Sequence, residues 1–280
     1  MNINKMLMTA AGLLAVTSSW ALPADGLHPN SDAWPALFAQ DLSNTEDTKG
    51  VWFRDAGDPV ECCRAYCAAG ADEIAMLDIT ATVESRATML EVVKKVAAVK
   101  TVPFTMGGGI SSVQAAEAVL AAGADKVSTS SAVFRRPAMI GEMVKELGAD
   151  KVTVAIDVAQ NAAMPSGYEV YIDGGRTATG KDALEWTKEV DGYGVKCILP
   201  TSKSTDGART GFDLPLIRQI RAVTAADVVA SGGAGTMEHF AEAAEAGATV
   251  LLGASVFHFN LIAIPALKQF LKDRGFNVRI

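Results

Sequence analysis

VPFTMGGGISSVQAAEAVLAAGADKVSTSS (102–131) and VVASGGAGTMEHFAEAAEAGATVLLGAS (228–255) follow one plan. In each, a short apolar run ends at a glycine pair and a helical pattern follows. A Gly-Ala pair closes that helix, and a second apolar run leads to a serine. The spacing is constant: 124 residues separate Gly108 from Gly232, Gly123 from Gly247 and Ser131 from Ser255. That period is too long for a solenoid. It describes two related halves of one domain.

Outward from these units the same grammar continues. Strand-like runs fall at 36–40, 73–77, 102–106, 126–128, 152–156, 197–199, 228–230 and 249–252. Helical patterns lie between them at 84–99, 113–122, 137–147, 181–189, 214–223, 237–246 and 262–274. Eight strands alternating with helices predict an α/β fold, a (β/α)8 TIM barrel built from two half-barrel repeats. An open doubly wound sheet would want a Gly-x-Gly-x-x-Gly turn after its first strand, and none is present. The barrel is expected to span residues 35–280 as a single domain.

Composition agrees. Of 280 residues, 49% are apolar, 20% charged and 6% aromatic, which suits parallel strands under helices. The net charge of −7 excludes a nucleic-acid partner that needs a basic surplus. It leaves room for an anionic small molecule, because backbone N–H groups hold phosphate without net positive charge. Cys62, Cys63 and Cys67 sit in one helical pattern, with no C-x-x-C pair or companion histidine for zinc, so they read as small helix residues in a reduced compartment. His28, His239 and His258 form no cluster, and neither a metal nor a cofactor is expected.

The N-terminus has its own pattern. Residues 6–16 are an apolar run behind a single charge at Lys5, and Ser19-Trp20-Ala21 resembles a small-residue cleavage site. Residues 1–21 therefore read as a signal-like segment and 22–34, with Pro23, Gly26 and Pro29, as a linker.

Two constellations carry chemistry. In the first, Gly108-Gly109 and Gly232-Gly233 each leave a strand and enter a helix. There, missing Cβ atoms and the helix N-terminus favour an anion. Ser130-Ser131 and Ala254-Ser255 follow the next strand of each half and complete each cradle. Two such turns at equivalent positions predict two phosphate sites at the C-terminal mouth. The second constellation is a set of acids at strand ends: Asp41, Asp78, Asp157 and Asp206. Asp41 and Asp157 end strands one and five, on opposite sides of the mouth, and are expected to divide acid and base roles. Asp78, Thr201 and Asp206 are supporting positions, with a helix-cap role open for Asp78.

At these residues the chain closely resembles the HisF family, the cyclase subunit of imidazole glycerol phosphate synthase in histidine biosynthesis. The matching stretches include RDAGDPVE (54–61), DEIAMLDITATVESRATMLEVV (72–93), PFTMGGGI (103–110), VAIDV (154–158), TGKDALEWTKEV (179–190) and SGGAGTMEHF (231–240). ASVFHF (254–259) and LKDRGFNVR (271–279) separate it from the sister HisA isomerase barrel, which shares the repeat and the aspartate pair. The resemblance implies a bis-phosphorylated aminoimidazole carboxamide ribonucleotide, PRFAR, as substrate. Ammonia from a glutaminase (glutamine amidotransferase) partner subunit closes the imidazole ring, giving imidazole glycerol phosphate and AICAR. It implies Asp41 and Asp157 as the catalytic pair, Lys49 as a loop contact, and a cytoplasmic working form, with export the alternative if residues 1–21 act as a signal.

The chain also departs from that family. In PALFAQDLSNTEDTKG (35–50) only Asp41 and Lys49-Gly50 of the family's first-strand stretch are kept. Pro35 and Cys197 stand where the family has a basic residue and a glutamate of a charged gate at the barrel base, whereas Glu73 and Lys126 remain. Ser130 replaces an asparagine and Ser204 an aspartate. A HisA-like isomerase and a decayed phosphate-binding barrel are the competing readings.

Overall fold

Runs such as Glu73–Leu77 and Phe104–Gly107 bury almost every residue they contain, the signature of strands covered on both faces. The computed structural model describes the backbone of residues 5–11 together with residues 58–77 and 86–280. Its strands are, in chain order, β1 (Lys5–Ala11), β2 (Glu73–Leu77), β3 (Phe104–Gly107), β4 (Lys126–Thr129), β5 (Val152–Gln160), β6 (Tyr168–Ile172), β7 (Thr177–Asp182), β8 (Cys197–Ser202), β9 (Asp227–Ala230) and β10 (Val250–Gly253). Its helices are α1 (Pro59–Ala68), α2 (Arg86–Ala97), α3 (Val113–Ala121), α4 (Ser131–Arg135), α5 (Ala138–Leu147), α6 (Ala183–Gly192), α7 (Leu214–Arg221), α8 (Met237–Glu245), α9 (Ser255–His258) and α10 (Ile264–Asp273).

Eight strands close into a ring. Each of β1, β2, β3, β4, β5, β8, β9 and β10 pairs parallel with the next, and β10 returns to β1. This is the expected (β/α)8 barrel. Its halves match closely: α3 and α8 start 124 residues apart, as do β4 and β10. Helix starts are fixed by side-chain caps, with Asp58, Ser112, Asp182, Asp213 and Thr236 each accepting backbone N–H groups of the following turn.

The core has two compartments. Between strands and helices lie large side chains such as Phe104, Ile140, Met143, Ile156 and Phe240, all fully buried. Inside the ring is a smaller set: Ala75, Leu199, Val229, Val250 and Leu252, flanked by Ala155 and Cys197. No helix among the described residues is long and apolar enough to cross a membrane.

Besides the short helices α4 and α9, which no helical pattern foretold, the sheet differs from the sequence expectation in two places. The slot between β2 and β10 is filled by Lys5–Ala11, inside the signal-like segment, where a strand at 36–40 was expected. A short continuous apolar run satisfies a parallel slot as readily as it fits a leader, which is why the pattern does not separate them. Residues 36–40 and the linker lie outside the described residues. The second difference is β6–β7, an antiparallel hairpin that continues from β5 beyond the rim. YEVYIDGGRTATG (168–180) carries its signal, a β-branched and aromatic run followed by Asp-Gly-Gly.

A buried ion pair ties the end of the chain to its beginning. Lys268 Nζ on α10 lies 2.8 Å from Asp72 Oδ1 just before β2, both side chains 6% exposed, with Arg279 Nε 3.5 Å from the same oxygen. Removing Lys268 leaves the buried Asp72 carboxylate less well compensated. Lys268→Ala is expected to cost about 2–4 kcal/mol in urea unfolding, since Arg279 restores only part of the pairing. A loss below about 1 kcal/mol would show that the remaining contacts of Asp72, Arg279 among them, compensate its charge.

Candidate active site

Parallel closure points every strand's C-terminal end to one mouth, so the residues that follow the strands meet there. Gly108 and Gly109 leave β3 with φ of 98° and 63°, and Gly232 and Gly233 leave β9 with φ of 81° and 108°. These left-handed turns are where backbone N–H groups can converge on an anion. Gly233 admits no side chain at all: a Cβ would stand 2.1 Å from Gly211 O, and the Gly211 N–H donates to Gly233 O at 2.8 Å. Gly232 packs against Asp206, 3.2 Å from where its Cβ would lie.

The second half of each cradle also repeats. Ser130 precedes α4 with φ −138° and ψ −91°, and Ala254 precedes α9 with φ −109° and ψ −89°. Ser131 and Ser255 open those two short helices. The Ser131 hydroxyl is already engaged, accepting the Asp173 N–H of the hairpin turn at 2.8 Å. The structure thus brings Gly108, Gly109, Ser130, Ser131, Gly232, Gly233, Ala254 and Ser255 to one end of the barrel in two equivalent pairs of turns.

Asp157 lies on β5 at that same end, half-buried, paired in register with Thr201 on β8 and Tyr171 on β6. Its carboxyl is pushed up to about 6, first by burial, then by the negative charge of Asp206, with Lys203 pulling it down. Asp206 opens to the mouth, yet the enclosing loop raises its carboxyl too, against a lowering hydrogen bond from the Gly207 N–H. Two carboxylates that repel, one held by burial near neutrality, can carry a proton at working pH. Asp41, Lys49 and Asp78 lie outside the described residues.

Around this pair runs a polar network that the sequence reading did not anticipate. Thr201 Oγ1 donates to Ser231 Oγ at 3.2 Å, and Ser202 Oγ donates to Asp213 Oδ2 at 2.8 Å. Tyr168 OH donates to Asp213 Oδ1 at 2.7 Å, and Thr205 Oγ1 to Gly232 O at 3.2 Å. These bonds hold the β8–α7 loop, and Asp206 with it, against the second glycine turn. His239 completes the same region structurally, its Nδ1 accepting the Gly235 and Thr236 N–H groups at 3.2 and 3.3 Å. His258 Nδ1 pairs with Tyr66 OH at 2.7 Å.

The opposite end is lined by different chemistry. Glu73 accepts Thr105 Oγ1 and Lys126 Nζ, both at 2.6 Å, at the N-terminal ends of β2, β3 and β4. A cavity of about 200 Å³ opens beside them, lined also by Cys197, Lys196, Asp227 and Asp150. Burial pushes the Cys197 thiol up to about 11, so it faces this cavity as a neutral group. None of Cys62, Cys63, Cys67 and Cys197 is in a disulfide.

The raised Asp157 value has a stability consequence. The unfolded chain releases this proton near 3.8 and the folded chain near 6, so stability falls as pH rises through that window. Asp157→Asn removes the ionising group. The variant is expected to be more stable than the parent above about pH 7 by roughly 1–3 kcal/mol, the gain vanishing toward about pH 4. Urea unfolding at both pH values checks this, and an equal effect at both would mean that burial of the charge is not its cause.

The histidine biosynthesis protein family matches residues 42–263. A protein of Pyrobaculum aerophilum named imidazole glycerol phosphate synthase subunit HisF is 48% identical over 235 residues, covering 83% of this chain and 92% of that protein. One of Thermobifida fusca with the same name is 44% identical over 245 residues, covering 85% of this chain and 96% of that protein. Relatives this similar over this much of both chains fix the lineage: the chain belongs to the HisF family of histidine biosynthesis proteins.

Proposed function

We propose that this chain is the cyclase subunit of imidazole glycerol phosphate synthase, a carbon–nitrogen lyase that converts PRFAR and ammonia to imidazole glycerol phosphate and AICAR. One observation carries the reading: paired glycine turns flank a half-buried acid, Asp157, whose proton is held to about 6, at one barrel mouth. The HisF names of the relatives favour this over an isomerase of the HisA kind.

Each phosphate of PRFAR would take one half-barrel. Gly108, Gly109, Ser130 and Ser131 would hold one, and Gly232, Gly233, Ala254 and Ser255 the other, through backbone N–H groups and hydroxyls. That span stretches the substrate across the mouth and sets its imidazole-forming centre beside Asp157. Ring closure requires protons to leave the entering nitrogen, the carbonyl oxygen that it replaces to depart as water, and a proton to reach the departing AICAR amine. A carboxyl near 6 populates both of its forms near neutrality and can serve either transfer. Asp41 is assigned the complementary role, although β1 is Lys5–Ala11 and not the 36–40 run that precedes this aspartate, and Lys49, Asp78, Thr201 and Asp206 support the substrate and the acid pair.

Ammonia would arrive from a glutaminase partner subunit docked at the base, past Glu73 and Lys126. With Cys197 in place of a glutamate there, the entrance holds one ion pair beside a neutral thiol. The working form is assigned to the cytoplasm, where amino-acid biosynthesis supplies such substrates.

The test is turnover of PRFAR by the full chain with ammonium salt, followed as loss of substrate absorbance. Ammonium-dependent turnover is expected, with an inflection near pH 6. Asp157→Asn is expected to lower kcat by about 100-fold or more. Tight PRFAR binding with no turnover would replace the cyclase reading with a phosphate-binding barrel. Turnover that survives both Asp41→Asn and Asp157→Asn would overturn the assignment of the pair.

A further inference from the structure

The hairpin grafted onto β5 brings a cation to Asp157 by a chain of fixed contacts. Asp157 lies opposite Tyr171 on β6 and opposite Thr201 on β8. Two residues beyond Thr201, the Lys203 N–H donates to Val158 O at 2.9 Å, which sets where the lysine leaves the sheet. Its ammonium then sits 3.9 Å from the centroid of the Tyr171 ring. The hairpin turn roofs the aliphatic stem: a Cβ on Gly175, whose φ is +77°, would stand 3.4 Å from Lys203 Cδ.

That turn is itself tied down. Arg135 Nη2 on α4 contacts both carboxylate oxygens of Asp173 at 2.6 and 2.7 Å. Thr177 Oγ1 donates to Asp173 Oδ2 at 3.0 Å, and the Asp173 N–H is held by Ser131 Oγ. An exposed lysine ordinarily spreads over many rotamers. Here a ring face below and a pinned turn beside the stem select one, and the cation–π contact rewards it.

The charges that act on Asp157 can be named element by element. The loop after β8 presents Asp206 and Lys203. β6 presents the Tyr171 ring, while its one acid, Glu169, is occupied by Asn161 Nδ2 and the Gly180 N–H at 2.8 and 2.7 Å. β8 presents the uncharged Thr201. Among the described residues Lys203 is the cation opposed to Asp206 at this carboxyl.

We propose that Lys203, seated on the Tyr171 ring beside the pinned 173–176 turn, is a positioning residue that sets the charge state of Asp157. The proposal rests on Asp157 doing acid–base work in the cyclase reading. The hairpin is then a seat for an electrostatic counterweight: burial and Asp206 favour the neutral acid, and the ammonium favours the carboxylate.

The experiment uses the full chain and two readouts. One is the pH titration of the Asp157 carboxyl by carbon-13 NMR, its signal assigned by its loss in Asp157→Asn. The other is the pH profile of ammonium-dependent PRFAR turnover. Lys203→Met is expected to raise the Asp157 midpoint by about half a unit to one unit, and to move the inflection of the profile with it. Lys203→Arg should restore both, and Tyr171→Leu should shift both in the same direction by a smaller amount. An Asp157 midpoint unchanged in Lys203→Met overturns the proposal. A midpoint that moves while the profile stays still confirms the coupling and overturns the acid–base assignment of Asp157 instead.

Discussion

β5 is hydrogen-bonded on both sides as far as the barrel rim and then continues past it. Its first residues pair with β4 and its length to Val158 pairs with β8, which closes the ring; from Asp157 onward its free side takes up β6. Ring closure requires that all eight strands run the same way, so all eight exits converge on one mouth. The two glycine turns, the two serine-bearing helix starts and Asp157 owe their proximity to that constraint. The overrun of β5 adds the hairpin, and the hairpin adds Tyr171 and the turn beside Lys203.

Energetically the two ends of the barrel are unlike. At the base, Glu73 is satisfied by a lysine and a threonine hydroxyl, an ion pair with its hydrogen bonds completed. At the mouth, Asp157 is half-buried beside a second acid, and both burial and that charge raise its carboxyl. Such tension is a cost in stability wherever the carboxyl ionises. The network of Ser202, Asp213, Tyr168 and Thr201 keeps the tension in place by anchoring the loop that carries Asp206. Rigidity around the acid and strain at the acid belong to one arrangement.

The barrel was legible in the sequence because its signals are local and repeated. The glycine pairs, the Gly-Ala helix ends and the 124-residue offset each mark a boundary where a strand or helix must stop, and α3, α5, α6, α7, α8 and α10 begin within about two residues of expectation, whereas the short helices α4 and α9 were not expected. That the glycine and serine turns and Asp157 share one end of the barrel followed from the rule that strand ends form the mouth. What was not legible depends on contacts across the sheet. Nothing in the spacing of Tyr171 and Lys203 says that a ring and an ammonium will meet, because that pairing is set by the register of β5 with two different neighbours. The strand between β2 and β10 was misplaced for another reason: a short apolar run has no period that distinguishes its uses.

The ion pair between Asp72 and Lys268 joins residues 196 positions apart, and β1 lies between the strand that follows Asp72 and the strand just ahead of Lys268. During synthesis, β2 and β3 emerge long before β10 and α10 exist. The edge of the half-made barrel therefore stays open until β10 has emerged, and the contact between Asp72 and Lys268 forms only once α10 has followed it. Closure of the ring and formation of this ion pair are thus both late events, the first set by β10 and the second by α10.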